Sequence, residues 1–258
     1  MNNRIDELFK NKKQNVLNVY CTAGFPKGDS TLQVLRALQS SRADMIEIGM
    51  PYSDPLADGP VIQASSSRAI ANGMTMNKLF DELKDFRQEI QLPVILMGYM
   101  NPVLQYGFEN FCARAASVGI DGLILPDLPM YEYESEYRAV IEKYQLKFIF
   151  LVTPETSDER IKKLDALSSG FLYAVSSSST TGNEKSMETQ LGYFKRLQEM
   201  HLKNPVLIGF GIKDKQTFAT ACSHASGAII GTAYIRALEN TPGNIESATK
   251  AFIDGVVG

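Results

Sequence analysis

The chain has 258 residues, a formal net charge of −3, 44% hydrophobic and 21% charged residues, which is an ordinary balance for a folded protein with length enough for a large core. That charge, with no basic cluster anywhere, argues against a nucleic-acid surface. No apolar run approaches the ~18 residues of a membrane span, the polar start MNNRIDELFKNKKQ lacks the apolar core of a signal peptide, and Cys21, Cys112 and Cys222 show no CxxC spacing, so a soluble, cytoplasmic protein with reduced thiols is expected.

The first stretch is polar and helical in character and predicts an extra N-terminal helix. After it, short apolar runs alternate with amphipathic stretches. The runs are Val16–Tyr20, Met45–Ile48, Val94–Met97, Gly122–Leu125, Phe148–Val152, Phe171–Val175, Val206–Ile208 and Ala228–Ile230. Between them, Leu32, Leu35 and Leu38 mark one helical face, Leu79, Leu83 and Phe86 another, and Ile161, Leu164 and Leu167 a third. Asp29-Ser30 and Thr156-Ser157-Asp158 read as N-caps. No linker or low-complexity block divides the chain, so one domain over residues 1–258 is expected. Eight strands alternating with helices predict an α/β fold, a single (β/α)8 TIM barrel. A doubly wound open sheet fits the same alternation, but no G-x-G-x-x-G follows the first strand.

In a barrel the chemistry gathers at the C-terminal strand ends. Gly209-Phe210-Gly211 ends the seventh run and Gly231-Thr232-Ala233 the eighth, where backbone N–H groups and a helix N-terminus suit a phosphate. The Ser176–Gly182 loop adds hydroxyls beside them, although glycines at such junctions also serve as plain turns. Alternation places Met45 and Glu47 on one face of the second strand and Ile46 and Ile48 on the other. Glu47 therefore points into the barrel mouth, where burial should raise its pKa and suit it to acid/base work. An ion pair with Arg68 is the competing reading. Asp58 follows on a loop and could be its partner acid, or only the Asp of an Asp-Gly turn. Tyr20, Leu96, Tyr99, Leu125, Phe171, Tyr173 and Phe210 gather at strand ends and could wall a flat apolar ligand, or be ordinary core. His201 and His224 lie apart and no acid or histidine set has metal-ligand spacing, so no metal site is expected. Lys147 opens its strand at the wrong end for Schiff-base chemistry, which leaves Lys213 as a weak candidate.

The stretch Ile46-Glu47-Ile48-Gly49-x-Pro51-Tyr52-Ser53-Asp54-Pro55-Leu56-Ala57-Asp58-Gly59-Pro60 resembles the signature of the tryptophan synthase alpha chain family. The likeness extends over the chain through Tyr99-x-Asn101-Pro102, Asp127-Leu128-Pro129, Tyr173-x-x-Ser176, Thr181-Gly182, Gly209-Phe210-Gly211 and Gly231-Thr232-Ala233. It implies a barrel that cleaves indole-3-glycerol phosphate to indole and glyceraldehyde 3-phosphate. It implies no cofactor in this chain and a beta-chain partner that uses pyridoxal phosphate, in a heterotetramer of two alpha and two beta chains. By resemblance Glu47 is the general acid/base and Asp58 the carboxylate that holds the indole N–H. Tyr20, Leu125, Tyr173 and Phe210 would line the indole pocket. Gly182, Gly211, Gly231 and Thr232 would hold phosphate, and Thr181 would belong to a closing loop. Pro51, Asp54 and Asn101 would meet the beta chain. Three positions depart from the family pattern: Ser177 stands where an arginine is usual, Thr232 where a serine is, and Tyr20 where phenylalanine is common.

Overall fold

The computed structural model describes residues 3–175, 187–209, 211–241 and 243–258. Its strands are β1 (Val16–Thr22), β2 (Met45–Gly49), β3 (Val94–Met97), β4 (Gly122–Ile124), β5 (Lys147–Phe148), β6 (Leu151–Val152), β7 (Leu172–Val175), β8 (Val206–Gly209) and β9 (Gly227–Ile230). All pair in parallel, in the order β5-β4-β3-β2-β1-β9-β8-β7-β6. The two ends of that order, β5 and β6, are pieces of one continuous stretch. The sheet therefore closes on itself as a barrel of eight staves, the fifth one broken. An open sheet would leave two unrelated edges.

The break has a local cause. Ser168 and Ser169 follow the helix Asp158–Leu167. Their hydroxyls take up the backbone of the fifth stave: Phe148 N–H donates to Ser169 Oγ at 2.9 Å and Phe150 N–H to Ser168 Oγ at 3.2 Å. Ser168 Oγ in turn donates to Phe171 O at 2.7 Å. Side-chain hydroxyls satisfy groups that a regular ladder would otherwise pair. The sequence showed one strand here because its apolar run is unbroken.

The two-residue alternation sorts the strands into two buried layers. Met45, Ile95, Ile124, Phe171, Leu207 and Ile229 fill the barrel interior. Val19, Ile46, Ile48, Leu96, Ile208 and Ile230 face the surrounding helices. Helix α1 (Arg4–Asn11) closes the N-terminal end of the barrel, capped by Asn3, whose Oδ1 accepts from Ile5 N–H at 3.0 Å. Ile5 is fully buried with the interior residues. Nearby, the buried Asp121 carboxylate accepts from Arg87 Nη2 at 2.5 Å, from Arg4 Nη1 at 3.1 Å and from Val94 N–H at 2.8 Å. This pairing ties α1 to the barrel floor.

The helical faces form largely where the spacing placed them. Helix α2 (Thr31–Gln39) buries Leu35 and Leu38. Ser157 caps the Asp158–Leu167 helix by accepting from Arg160 N–H at 3.3 Å. Ser30 stands at the N-cap of α2 but does not cap it, because its hydroxyl accepts from Lys27 N–H at 3.1 Å in the preceding turn. Leu83 and Phe86 are buried, yet the helix before them, Met76–Glu82, has already ended. Among the described residues no helix is long and apolar enough to cross a membrane.

Because Ile5 fills the barrel floor, Ile5→Ala should lower unfolding free energy by about 2–4 kcal/mol. Urea titration checks it, and an unchanged midpoint would show that the plug is dispensable.

Candidate active site

The C-terminal end of the barrel holds a cavity walled by Tyr20, Glu47, Asp58, Gly59, Ile62, Met97, Tyr173, Gly211, Ile212, Ile229, Gly231 and Thr232. The walls come from β1, β2, β3, β7 and β9, and from the segments that follow β2, β8 and β9. Parallel register sets Tyr20 beside Glu47, and Glu47 beside Ile95. Two glycines make room for the tyrosine rings. A Cβ at Gly49 would overlap the Tyr20 hydroxyl, and one at Gly209 would overlap the Tyr173 hydroxyl. The need for glycine at 209 thus comes from Tyr173, whereas Gly211 and Gly231 themselves line the cavity.

Glu47 is 1% exposed. Asn18 Nδ2 on β1 donates to its Oε2 at 2.9 Å. Arg68, the arginine the sequence offered as its partner, lies elsewhere. It approaches Glu239 at 3.7 Å and its guanidinium sits over the Phe25 ring. Burial pushes the Glu47 carboxyl up to about 8. The Asn18 hydrogen bond works against that rise, and the nearby Asp58 charge adds to it.

Asp58 reaches the same cavity from the loop after β2. The loop is tied down at several points. Asp58 N–H donates to Pro55 O at 3.1 Å, and Gln63 Nε2 of α3 (Pro60–Ala71) donates to Asp58 O at 2.8 Å. Tyr99 then clamps it: its hydroxyl accepts from Ala57 N–H and donates to Asp58 Oδ2, both at 3.1 Å. Burial pushes Asp58 up to about 6, with the Tyr99 hydrogen bond opposing the rise. Asp58 is therefore both a turn residue and a cavity carboxylate. Near pH 7 the pair holds one proton, on Glu47, and one charge, on Asp58.

The same cavity has an anion-suited rim. Gly231 precedes the helix Thr232–Asn240, and among the described residues no side chain caps that end. Its first N–H groups are open to an oxyanion, beside Gly211, whose φ of 76° requires the left-handed region. Gly231 and Thr232 both border the cavity.

Three expected pocket residues are placed differently. Leu96 and Leu125 belong to the layer between sheet and helices. Their inward neighbours are Met97, which lines the cavity, and Ile124, which packs in the barrel interior. Leu125 instead borders a separate cleft with Asp127 and Arg160. Tyr99 lies past the end of β3 and holds the Asp58 loop without walling the cavity. Phe210, Gly182, Thr181 and Ser177 fall outside the described residues. Asp54 and Asn101 are exposed and Pro51 half-buried. Asn101 Nδ2 donates to Tyr52 Oη at 3.1 Å, which ties the helix Met100–Tyr106 to the Asp58 loop. Asn18, Met97, Ile62 and Ile229 were missed from sequence. Strict alternation along β1, β3 and β9 would have found all but Ile62, which a helix supplies.

The tryptophan synthase alpha chain family model matches residues 7–255. The alpha chain of Phocaeicola vulgatus is 48% identical over 255 residues, covering 98% of this chain and 99% of that one. That of Flavobacterium psychrophilum is 50% identical over 249 residues, covering 96% and 97%. The chain belongs to the tryptophan synthase alpha chain family. Among solved structures, the alpha subunit of Legionella pneumophila superposes with a TM-score of 0.89 at 32% identity, covering 100% of this chain and 98% of that one. A chain of the Pyrococcus furiosus tryptophan synthase complex gives 0.87 at 33%, covering 96% and 99%. The family's barrel is thus the one into which Glu47 is buried.

Burying that carboxyl carries a stability consequence. The folded-state pKa of Glu47 lies above its unfolded value, so the native state holds a proton that the unfolded chain has released. Its contribution is fully present below about pH 4 and is lost as pH rises toward 8. Between pH 5 and pH 8 the parent should lose roughly 2–4 kcal/mol more than Glu47→Gln. Parallel pH-dependences of the two would show that Glu47 titrates normally.

Proposed function

We propose that Glu47 and Asp58 together cleave indole-3-glycerol phosphate by a retro-aldol step. The family's reaction yields indole and glyceraldehyde 3-phosphate in tryptophan biosynthesis, and the chain is a carbon–carbon lyase of that kind. The observation that supports this division of labour is the pairing of a neutral buried carboxyl with a charged one in a single apolar cavity rimmed by a free helix N-terminus.

The indole lies between Tyr20, Tyr173 and Met97, with its phosphate at Gly211, Gly231 and Thr232. Glu47, as the acid, gives its proton to indole C3. This places positive charge on the ring nitrogen, where the Asp58 carboxylate accepts the N–H hydrogen bond and stabilises the cation. Glu47, now a carboxylate, takes the proton from the glycerol hydroxyl next to C3. The C–O becomes C=O, the C3–C bond breaks, and its electron pair restores the indole. Glu47 ends protonated, as it began. Low dielectric around the cavity strengthens each of these contacts.

Association with a beta chain is the second part of the reading, and pyridoxal phosphate would belong to that chain and not to this one. The relatives from Pyrococcus furiosus and M. tuberculosis were solved as tryptophan synthase. Support from this chain is local. Leu56, Tyr131 and Leu104 are 84%, 75% and 49% exposed, on the segments that follow β2, β4 and β3. Those apolar side chains lie on segments that leave the C-terminal strand ends, as do Pro51, Asp54 and Asn101, and suit a partner that receives indole there. Two alpha and two beta chains, in the cytoplasm, complete the proposal.

Purified chain given indole-3-glycerol phosphate should release indole, and faster with a beta chain present. Glu47→Gln should lose at least about 10²–10⁴ in kcat while substrate binding stays close to the parent's. No indole under either condition would overturn the lyase assignment, and near-normal kcat in the variant would make Glu47 structural.

A further inference from the structure

Asn18 is fully buried inside the barrel, and one half of its amide is unused. Its Nδ2 donates to Glu47 Oε2 at 2.9 Å, while its Oδ1 is buried and has no hydrogen-bond partner among the described residues. A buried amide oxygen left unpaired is costly, and native structures rarely keep one without reason. The neighbouring inward positions, Val16 and Met45, are apolar. An apolar side chain at 18 would fit that layer and avoid the cost. Packing therefore does not account for an asparagine here, and its contact with Glu47 does.

We propose that Asn18 is a positioning residue for Glu47, reserving Oε2 as a hydrogen-bond acceptor so that Oε1 carries the proton exchanged with substrate. The inference rests on the acid/base role proposed for Glu47. In the acid form Oε2 is the carbonyl oxygen and accepts from the amide, so the proton is held on Oε1. Glu47 lines the cavity and Asn18 occupies Oε2, which leaves Oε1 for the ligand. In the base form the same N–H stabilises the carboxylate. One fixed donor thus serves both halves of the cycle without any side chain having to move. It also limits how far burial can raise the pKa, because a carboxyl too reluctant to ionise could not give its proton to indole C3. Asn18 itself never touches the reacting atoms in this scheme.

The titratable groups whose charge bears on Glu47 are Asp58 from the loop, Tyr20 and Tyr173 in the cavity wall, and Cys21 on the outer face of β1. Burial pushes the two tyrosines and the thiol upward, so Asp58 is the one among these that changes charge in the same range. Any shift is therefore read as a difference between variant and parent at constant Asp58.

The test is Asn18→Leu, near in size and lacking the donor. Infrared difference spectroscopy follows the protonated carboxyl band that Glu47→Gln removes, which needs no turnover. The Glu47 titration should move upward by about one pH unit or more. kcat should fall about tenfold or more with KM changed less than about threefold, and thermal stability at pH 6 should be equal to or above the parent's. An unmoved titration, or a loss of stability with kcat per folded molecule unchanged, would overturn the proposal. Should leucine prevent folding, Asn18→Ala reports the same titration. If the parent itself released no indole, the lyase reading would fail, while the titration would still decide whether Asn18 tunes Glu47.

Discussion

A carboxyl group placed among apolar side chains is ionised only at a large cost in free energy. Glu47 is such a group, and the C-terminal half of the barrel can be understood as the means of keeping it there. The strand puts it inward because Ile46 and Ile48 face the helices. Tyr20 and Tyr173 cover it, and each ring needs a glycine beside it, Gly49 and Gly209. Asn18 supplies one donor to it and no positive charge. The outcome is an acid that keeps its proton at neutral pH. Asp58, which Tyr99 binds from a loop, ionises in the same cavity at lower pH.

Rigid and tethered placement suit the two roles. Glu47 belongs to a strand bonded on both sides, and its oxygen is oriented by a neighbouring strand. Asp58 sits on a loop held by Gln63 and Tyr99, with part of its surface still open. A proton donor must be aimed at one carbon atom. A carboxylate that accepts a ring N–H can tolerate a looser tether. At the opposite end of the barrel, Ile5 and the Asp121 pairs do purely structural work.

Much of this was legible in the residues, and the errors have physical causes. The apolar runs gave every stave, since each must be buried on both faces. The break in the fifth was hidden because serines from another segment create it. The inward direction of Glu47 followed from alternation alone. Leu96 and Leu125 lie near the ends of their apolar runs, but nearness to a strand end is not nearness to the cavity. Parity puts Met97 and Ile124 inward instead. Tyr99 lies beyond its strand, where alternation no longer applies, and its hydroxyl turns to Asp58. Asn18 carried the clearest missed signal: a lone amide at an inward position of an apolar strand, two residues before Tyr20. Glycines at strand ends looked alike in sequence but divide in space, Gly49 and Gly209 admitting tyrosines and Gly211 and Gly231 facing the ligand cavity.

The most direct test of this account is the pH dependence of kcat/KM for indole release from indole-3-glycerol phosphate. The rate should rise as Asp58 ionises near pH 6 and fall as Glu47 loses its proton near pH 8, so that activity peaks at about neutral pH. A profile already at its plateau by about pH 5 and flat to about pH 9 would mean that neither carboxyl is perturbed, and the central claim would fail.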